Sequence, residues 1–372
     1  MKQLVMTGIM TGVMAASLAA TATAQEKAAE KAPVKVSWAD SIKVGGDTRF
    51  RFQYATEESK EDRERWRFRG RIGLDAKVND QVKAQVRLVT NAGDPISDNI
   101  TMGGIGDPFE DSNAAIDLAN FTWTPVAPLS LKFGKMTQPW VVVDDLVMGA
   151  DANPEGIAAN AKLGTDAVAV MGHAGAFVLQ ERKADDETTL YTGQVAAKFG
   201  GKTYVMVGGT VYAYDNMEGF APLGNENNNS TVTVGEGEDE EKLIANEFML
   251  VEGFVEAGID LAMPVKIGAQ YLVNTEADDD DTAYLGYASV KLPAGFSAGY
   301  QYRYVEKDAT FSGLAESTDF GNAGVDLEGH IPYVKYQISK NFDIKTQYAM
   351  GQKGVEDGKD IETFKIDLAC KF

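Results

Sequence analysis

From Gly45 to Phe372 the chain is a succession of runs, roughly 9 to 13 residues long, in which apolar and polar side chains alternate; the breaks between runs are alternately short and long. Side chains of an extended strand point to opposite faces in turn, so each run reads as a strand with one apolar and one polar face. The short breaks are Asn79-Asp80-Gln81, Pro125-Val126-Ala127-Pro128, Gly164-Thr165-Asp166, Phe199-Gly200-Gly201-Lys202, Leu261-Ala262-Met263-Pro264, Leu292-Pro293-Ala294-Gly295 and Ser339-Lys340-Asn341. Most of them contain residues that favour tight turns. The long breaks, near residues 55–63, 91–113, 138–156, 181–186, 215–245, 275–281, 306–329 and 351–359, are rich in Asp, Glu, Asn and Gly. Seven short turns interleaved with eight long loops connect sixteen strands and leave both ends of the chain on the short-turn side. A soluble β-sandwich has no reason to gather every long loop at one end, whereas a membrane-spanning antiparallel barrel is built that way.

The two faces say what surrounds the sheet. In the second run Trp66, Phe68, Gly70, Ile72, Leu74, Ala76 and Val78 share one side, and Arg65, Arg67, Arg69, Arg71, Gly73, Asp75 and Lys77 the other. The polar side is too charged for a packed core and the apolar side is continuous, so lipid outside and water inside satisfies both. Beyond residue 24 no stretch approaches the roughly 20 apolar residues a spanning helix needs. A mature chain that lives in a membrane therefore crosses it as a closed all-β barrel. Residues 1–24, with Lys2, an apolar run and Ala22-Thr23-Ala24, have the layout of a cleavable secretory signal, which implies export through the periplasm. Residues 25–44 read as a short periplasmic lead-in, and 45–372 as the barrel.

The net charge of -20 argues against a nucleic-acid partner. The single cysteine, Cys370, excludes an intrachain disulfide framework. There are two histidines, His173 and His330, and neither stands beside a nucleophile motif such as G-x-S-x-G, so both read as solvated or interface residues and no catalytic residue is expected. The acidic runs at 236–241 and 278–281 lack the spacing of a calcium loop and read as solvated loops, leaving no metal and no cofactor implied. Tyr300, Tyr302 and Tyr304 share parity with Phe296 and are expected to face lipid. The reading as a soluble secreted β-protein stands as the structural alternative.

On the inward face of the first three strands parity places Arg49, Arg51, Arg65, Arg67, Arg69, Arg71, Lys83 and Arg87, a basic wall. Like charges about 7 Å apart repel by roughly 0.6 kcal/mol even in bulk water, so such a ladder needs anions, water or acidic partners opposite it. The third long loop, 137–156, carries Asp144, Asp145, Asp151 and Glu155 together with apolar Val141, Val142, Val143, Leu146, Val147 and Met148. A loop that stays in water has little use for that apolar run. It is therefore expected to fold into the lumen and to set its four carboxylates across the gap from the arginines, making a constriction with a transverse field. The seventh run, 167–180, is small or apolar on both faces, as a wall covered by a loop or a subunit contact would be. The final run carries Phe364, Ile366, Leu368, Cys370 and Phe372 on one side; its inward Lys365 and Lys371 are expected beside Arg49 and Arg51, extending the basic wall across the barrel closure.

Gly46-Asp47-Thr48-Arg49-Phe50-Arg51, the Arg-rich second run, and Phe133-Gly134-Lys135-Met136-Thr137-Gln138-Pro139-Trp140 followed by Asn153-Pro154-Glu155-Gly156 resemble the putative porin family of Gram-negative outer membranes. The terminal aromatic Phe372 resembles the signal by which the barrel assembly machinery recognises its clients. The resemblance implies a sixteen-stranded general porin, a homotrimer in outer-membrane lipid and lipopolysaccharide, with the third loop as constriction. Its expected solutes are small hydrophilic molecules and ions crossing by passive diffusion, and the basic wall keeps an anion-preferring or substrate-specific channel open as the alternative.

Overall fold

A computed structural model describes residues 41–372 apart from 92, 95, 105–110, 224–227, 238–239, 317, 322 and 357. The expected signal and nearly all of the lead-in lie outside the described residues. The alternating runs form strands β1 (Ile42–Glu57), β2 (Arg63–Lys77), β3 (Val82–Thr90), β4 (Ala114–Val126), β5 (Leu129–Lys135), β6 (Glu155–Gly164), β7 (Val168–Gln180) and β8 (Thr188–Gly200). The second half supplies β9 (Tyr204–Asp215), β10 (Met249–Ile259), β11 (Val265–Asn274), β12 (Thr282–Lys291), β13 (Phe296–Val305), β14 (Leu327–Ser339), β15 (Phe342–Lys353) and β16 (Lys359–Lys371). Each strand pairs antiparallel with its sequence neighbours, and β16 returns to β1 with Tyr54 opposite Phe364 and Arg49 opposite Ala369. Closure leaves no open edge, which backbone groups in a hydrocarbon layer require. The wall is thus the expected sixteen-stranded antiparallel barrel, with short turns at one end and long loops at the other.

Exposure confirms the two-sidedness of the wall. Trp66 is 46% exposed while its neighbour Arg67 is 8% exposed, the inverse of a water-soluble sheet. Ile72, Leu74, Val86, Ile157, Val195, Val207, Val255, Ile267 and Val334 continue the exposed apolar girth. Tyr300 lies on this outer face, as parity requires, with its hydroxyl 2.5 Å from Nδ1 of His330. Towards the long-loop end, aromatic polar atoms on the outside meet carboxylates: Tyr54 donates to Asp62 at 2.5 Å, Trp66 to Glu64 at 3.1 Å, Tyr304 to Glu306 at 2.9 Å and Tyr348 to Glu362 at 2.6 Å. Amphipathic rings of this kind suit headgroup depth, where one end of the ring is apolar and the other wet.

Three short strands were not legible in the alternation. Ile100–Thr101, inside loop 2 (91–113), pairs with Arg67 and Phe68 of β2. Thr231–Val234 and Glu241–Ile244 form a separate hairpin within loop 5 (216–248). Strand β1 starts at Ile42, three residues ahead of the boundary read at 45, because Val44 opposite Leu74 and Ile42 opposite Ala76 extend the same outward apolar ladder.

Barrel closure includes one tight contact at its short-turn end. Phe372 and Gly46 exchange backbone hydrogen bonds of 3.0 Å in both directions, and a Cβ on Gly46 would collide with the Phe372 ring and the Arg71 carbonyl oxygen. Overpacking of this sort costs about 1–3 kcal/mol. Gly46→Val is accordingly expected to lower the yield of folded, heat-modifiable protein on a gel and the temperature at which its migration changes; unchanged migration would show that the closure tolerates the methyls.

Candidate functional site

The inward face of β1 and β2 does carry the arginine ladder, but acidic residues of the wall itself thread through it. Arg51 is bidentate to Asp367 of β16 at 2.6 and 2.8 Å. Asp47 takes Arg69 at 2.9 Å and Arg71 at 2.8 Å. Arg87 pairs with Asp117 of β4. Arg49 and Arg67 differ, since their partners are neutral: Arg49 donates to Asn99 Oδ1 at 2.7 Å, and Arg67 to Ser97 Oγ at 3.4 Å and the Asn99 carbonyl at 3.1 Å. The Nε atoms of Arg49, Arg67 and Arg69 are buried and make no hydrogen bond among the described residues. Arg65 is half-buried on the same face, while Lys83 is exposed near the short-turn end, opposite Lys77.

Register corrects the expectation at the closure. Asp367, not a lysine, lies opposite Arg51, and Ala369 opposite Arg49; Lys365 faces Gln53 and Lys371 faces Asp47. The lysines of β16 therefore do not stand opposite Arg49 and Arg51, and an acid takes the place opposite Arg51. Parity alone could have found Asp47 and Asp367, which share the inward face, but cross-strand pairing had to be known to place them against particular arginines.

Loop 3 (136–154) folds inside the barrel and is tied to its wall at three places around the circumference. Val141 and the Gln194 side chain of β8 exchange hydrogen bonds of 2.7 and 2.9 Å. Asp145 pairs with Arg303 of β13, and Asp151 meets Arg69 of β2 at 3.1 Å. Val141 and Val143 pack with Ala196 and Phe254, and Trp140 lies against Phe177, Tyr212 and His173. This accounts for the small, apolar character of β7, whose inner side is roofed by the loop. It also corrects the reading of His173 as solvated or an interface residue: the imidazole is buried, held by Asn160 Oδ1 at 3.0 Å and Thr192 Oγ1 at 2.7 Å. His330 sits on the outer face, bound to Tyr300.

Of the four loop carboxylates expected opposite the arginine wall, one is there. Asp151 reaches Arg69 and Arg71. Asp145 is taken by Arg303 on the far side of the barrel, and Asp144 lines a second space of about 370 Å³ with Lys266, Tyr287, Tyr333 and Lys345. Glu155 begins β6 and pairs with Lys135 at 2.7 Å at the foot of the loop. The reason is geometric: a loop of this length crosses the lumen, so successive carboxylates meet different walls.

Two loops join it that sequence reasoning left outside. Loop 2 brings Ser97, Asp98 and Asn99 onto the ladder, with Asp98 3.8 Å from Arg71. Burial and the neighbouring Asp151 and Asp117 hold the Asp98 carboxyl up at about 7, against the pull of Arg69 and Arg71. Loop 7 (306–326) buries Phe311, Ala315 and Phe320 and is fastened to loop 3 by the Gly149 N–H to the Leu314 carbonyl at 2.7 Å. Its turn is pinned to the inner wall by Lys365, which donates to Asp319 at 2.5 Å and to Thr318 at 3.0 Å. The signal for this folding was present in Phe311, Leu314 and Phe320, apolar residues in a loop otherwise suited to water. Loops 3 and 7, with Met217, Ile244 and Phe248 of loop 5, pack an apolar core against the inner wall from β6 round to β16. On the arginine side they leave a cavity of about 300 Å³ lined by Arg49, Arg51, Arg69, Arg71, Ser97, Asn99, Asp151, Glu316 and Thr318.

A closed barrel, apolar outside, with a charged lumen narrowed by its own loops, is a transmembrane β-barrel channel. Residues 47–250, more than half of the sequence, match the model of the family described as putative porin, and the chain belongs to that family. It is an outer-membrane protein. Among solved structures it is similar to Pseudomonas putida OprB at high pH, with 9% identity, 89% of this chain and 94% of that one covered, and a TM-score of 0.57. Salmonella typhi OmpF in complex with daunomycin gives 10% identity, 89% and 97% coverage and a TM-score of 0.55. The trimer form of Vibrio cholerae OmpT gives 14% identity, 90% and 100% coverage and a TM-score of 0.50. At such identities the likeness is one of fold. Among curated proteins none matches.

Proposed function

We propose that the protein is a porin for the passive diffusion of small hydrophilic solutes and ions, exported through the periplasm by the signal at 1–24, recognised through Phe372 by the assembly machinery, and working as a homotrimer. The observation that carries the reading is the attachment of loop 3 to β2, β8 and β13 inside the barrel, which leaves a polar passage along the arginine wall instead of a filled core. Arginines on β1 and β2 face Asp151 and Glu316 across that passage. The field between them orients polar solutes and penalises apolar ones. The trimer form of the Vibrio cholerae relative supports the assembly. The test is planar-bilayer recording of the purified protein: discrete conductance steps are expected, and their absence from correctly folded, heat-modifiable protein would overturn the reading.

Asp98 gives the passage a pH-dependent charge. Its carboxyl, held up at about 7, takes a proton as pH falls from 8 to 6 and so removes one negative charge from beside Arg69 and Arg71. The lumen becomes more positive, and the reversal potential in a salt gradient is expected to move towards the anion with a midpoint near 7. Asp98→Asn should fix the potential at its low-pH value across that range. A wild-type shift that survives this substitution would assign the effect elsewhere.

A further inference from the structure

The cavity against the arginine wall holds six charged residues, and four of them are satisfied. Arg51 is paired with Asp367, Arg69 with Asp47 and Asp151, Arg71 with Asp47, and Asp151 with Arg69. Two charges of opposite sign remain. Among the described residues Arg49 has Asn99 as its side-chain hydrogen-bond partner, and Glu316 accepts from the backbone and hydroxyl of Thr318, within its own turn. Burial beside Asp145 and Asp319 pushes the Glu316 carboxyl up, a repulsion that an arriving cation relieves.

We infer that this cavity is a transit station for small zwitterions, α-amino acids and their short peptides, which place the carboxylate on Arg49 and the ammonium on Glu316. The inference rests on the channel reading and names a solute class for it. A simple anion that reached Arg49 would lie among Asp151 and Glu316 as well, and a simple cation at Glu316 would face four arginines. A solute bearing both charges satisfies both poles at once. A volume of about 300 Å³ equals that of about ten waters at roughly 30 Å³ each, enough for an amino acid of about that many non-hydrogen atoms. Ser97, Asn99 and Thr318 complete the lining with neutral side chains. Loop 7 supplies one of those poles, so it is part of the selectivity of the channel and not merely a cover.

The test records single channels of the full protein in potassium chloride while L-glutamine or, separately, D-ribose is added. Glutamine is expected to reduce the current with a saturating concentration dependence, and ribose to show no saturation. Acetate and ethylammonium, which carry one charge each, should saturate at higher concentrations than glutamine. Losing one charge-assisted contact is worth about tenfold or more in affinity, so Arg49→Gln and Glu316→Gln should each raise the half-saturating glutamine concentration by about that factor. Glu316→Gln keeps side-chain size whereas Arg49→Gln shortens the side chain, and an unchanged folded migration verifies each variant. Identical behaviour of glutamine and ribose in a conducting wild type overturns the station and leaves the channel reading standing. Equal saturation in wild type and both variants overturns the assignment to these residues, and absence of any wild-type current overturns the channel reading and the station with it.

Discussion

Removing residues 141–148 is expected to raise the unitary conductance several-fold while the barrel still folds and shows heat-modifiable migration. The deleted segment contains Val141 and Val143, which cover Ala196 and Phe254 on the inner wall, and Asp145, which ties the loop to Arg303 across the lumen. A barrel of sixteen strands without its inward loop leaves a wide aqueous channel. The hydrogen bonds that hold the wall together run between neighbouring strands and involve none of the deleted residues. The wall therefore still folds while the passage widens, at the cost of the core contacts of Leu146, Val147 and Met148 and of the Asp145 partner of Arg303. Planar-bilayer recording of the deletion variant decides it. Conductance equal to the wild type would mean that loop 7 or loop 2 sets the narrowest point.

Arg303→Met is expected to destabilise the folded protein at pH 8 by up to about 3–5 kcal/mol, the cost of leaving a carboxylate without its partner inside the barrel. Arg303 is 2% exposed and its guanidinium is taken by Asp145. Burial already holds the Asp145 carboxyl up at about 6 with the guanidinium beside it, and without Arg303 it rises further. The sign of the pH dependence follows. A carboxyl whose folded pKa exceeds its unfolded value near 3.8 contributes stability at low pH, where it is protonated in both states, and loses that contribution as pH rises through the folded pKa. The penalty is thus small at pH 5 and full by pH 8, measured as the shift in urea midpoint in detergent. Adding Asp145→Leu should restore most of the loss, because replacing both members of a buried pair by apolar groups is often neutral or better. A double variant as unstable as the single one would show that Arg303 acts by packing alone.

The charge layout of the lumen was only half legible. Parity put Arg49, Arg51, Arg67, Arg69 and Arg71 on one inward face, because the two-residue period of a strand is a local property. The degree of neutralisation was not legible, since Asp367 reaches Arg51 through the pairing of the last strand with the first, and Asp98 and Ser97 reach the ladder from loop 2. Loop 3 was recognised as inward from its apolar run, yet its acids were assigned to one wall when they reach three different places. The same apolar cue in Phe311, Leu314 and Phe320 went unread in loop 7, where it was diluted in a longer polar stretch.

Strand number, the side on which the long loops gather, and which face of each strand meets lipid were written in the sequence, because alternation and turn chemistry act between residues close in the chain. Which carboxylate neutralises which arginine, and that Arg49 and Glu316 line one cavity without ion-pair partners among the described residues, was decided by tertiary structure. The physical reason is distance along the chain. Ion pairing in the lumen joins residues up to 316 positions apart, as in Arg51 and Asp367, and those meet only after the barrel has closed and its loops have turned inward.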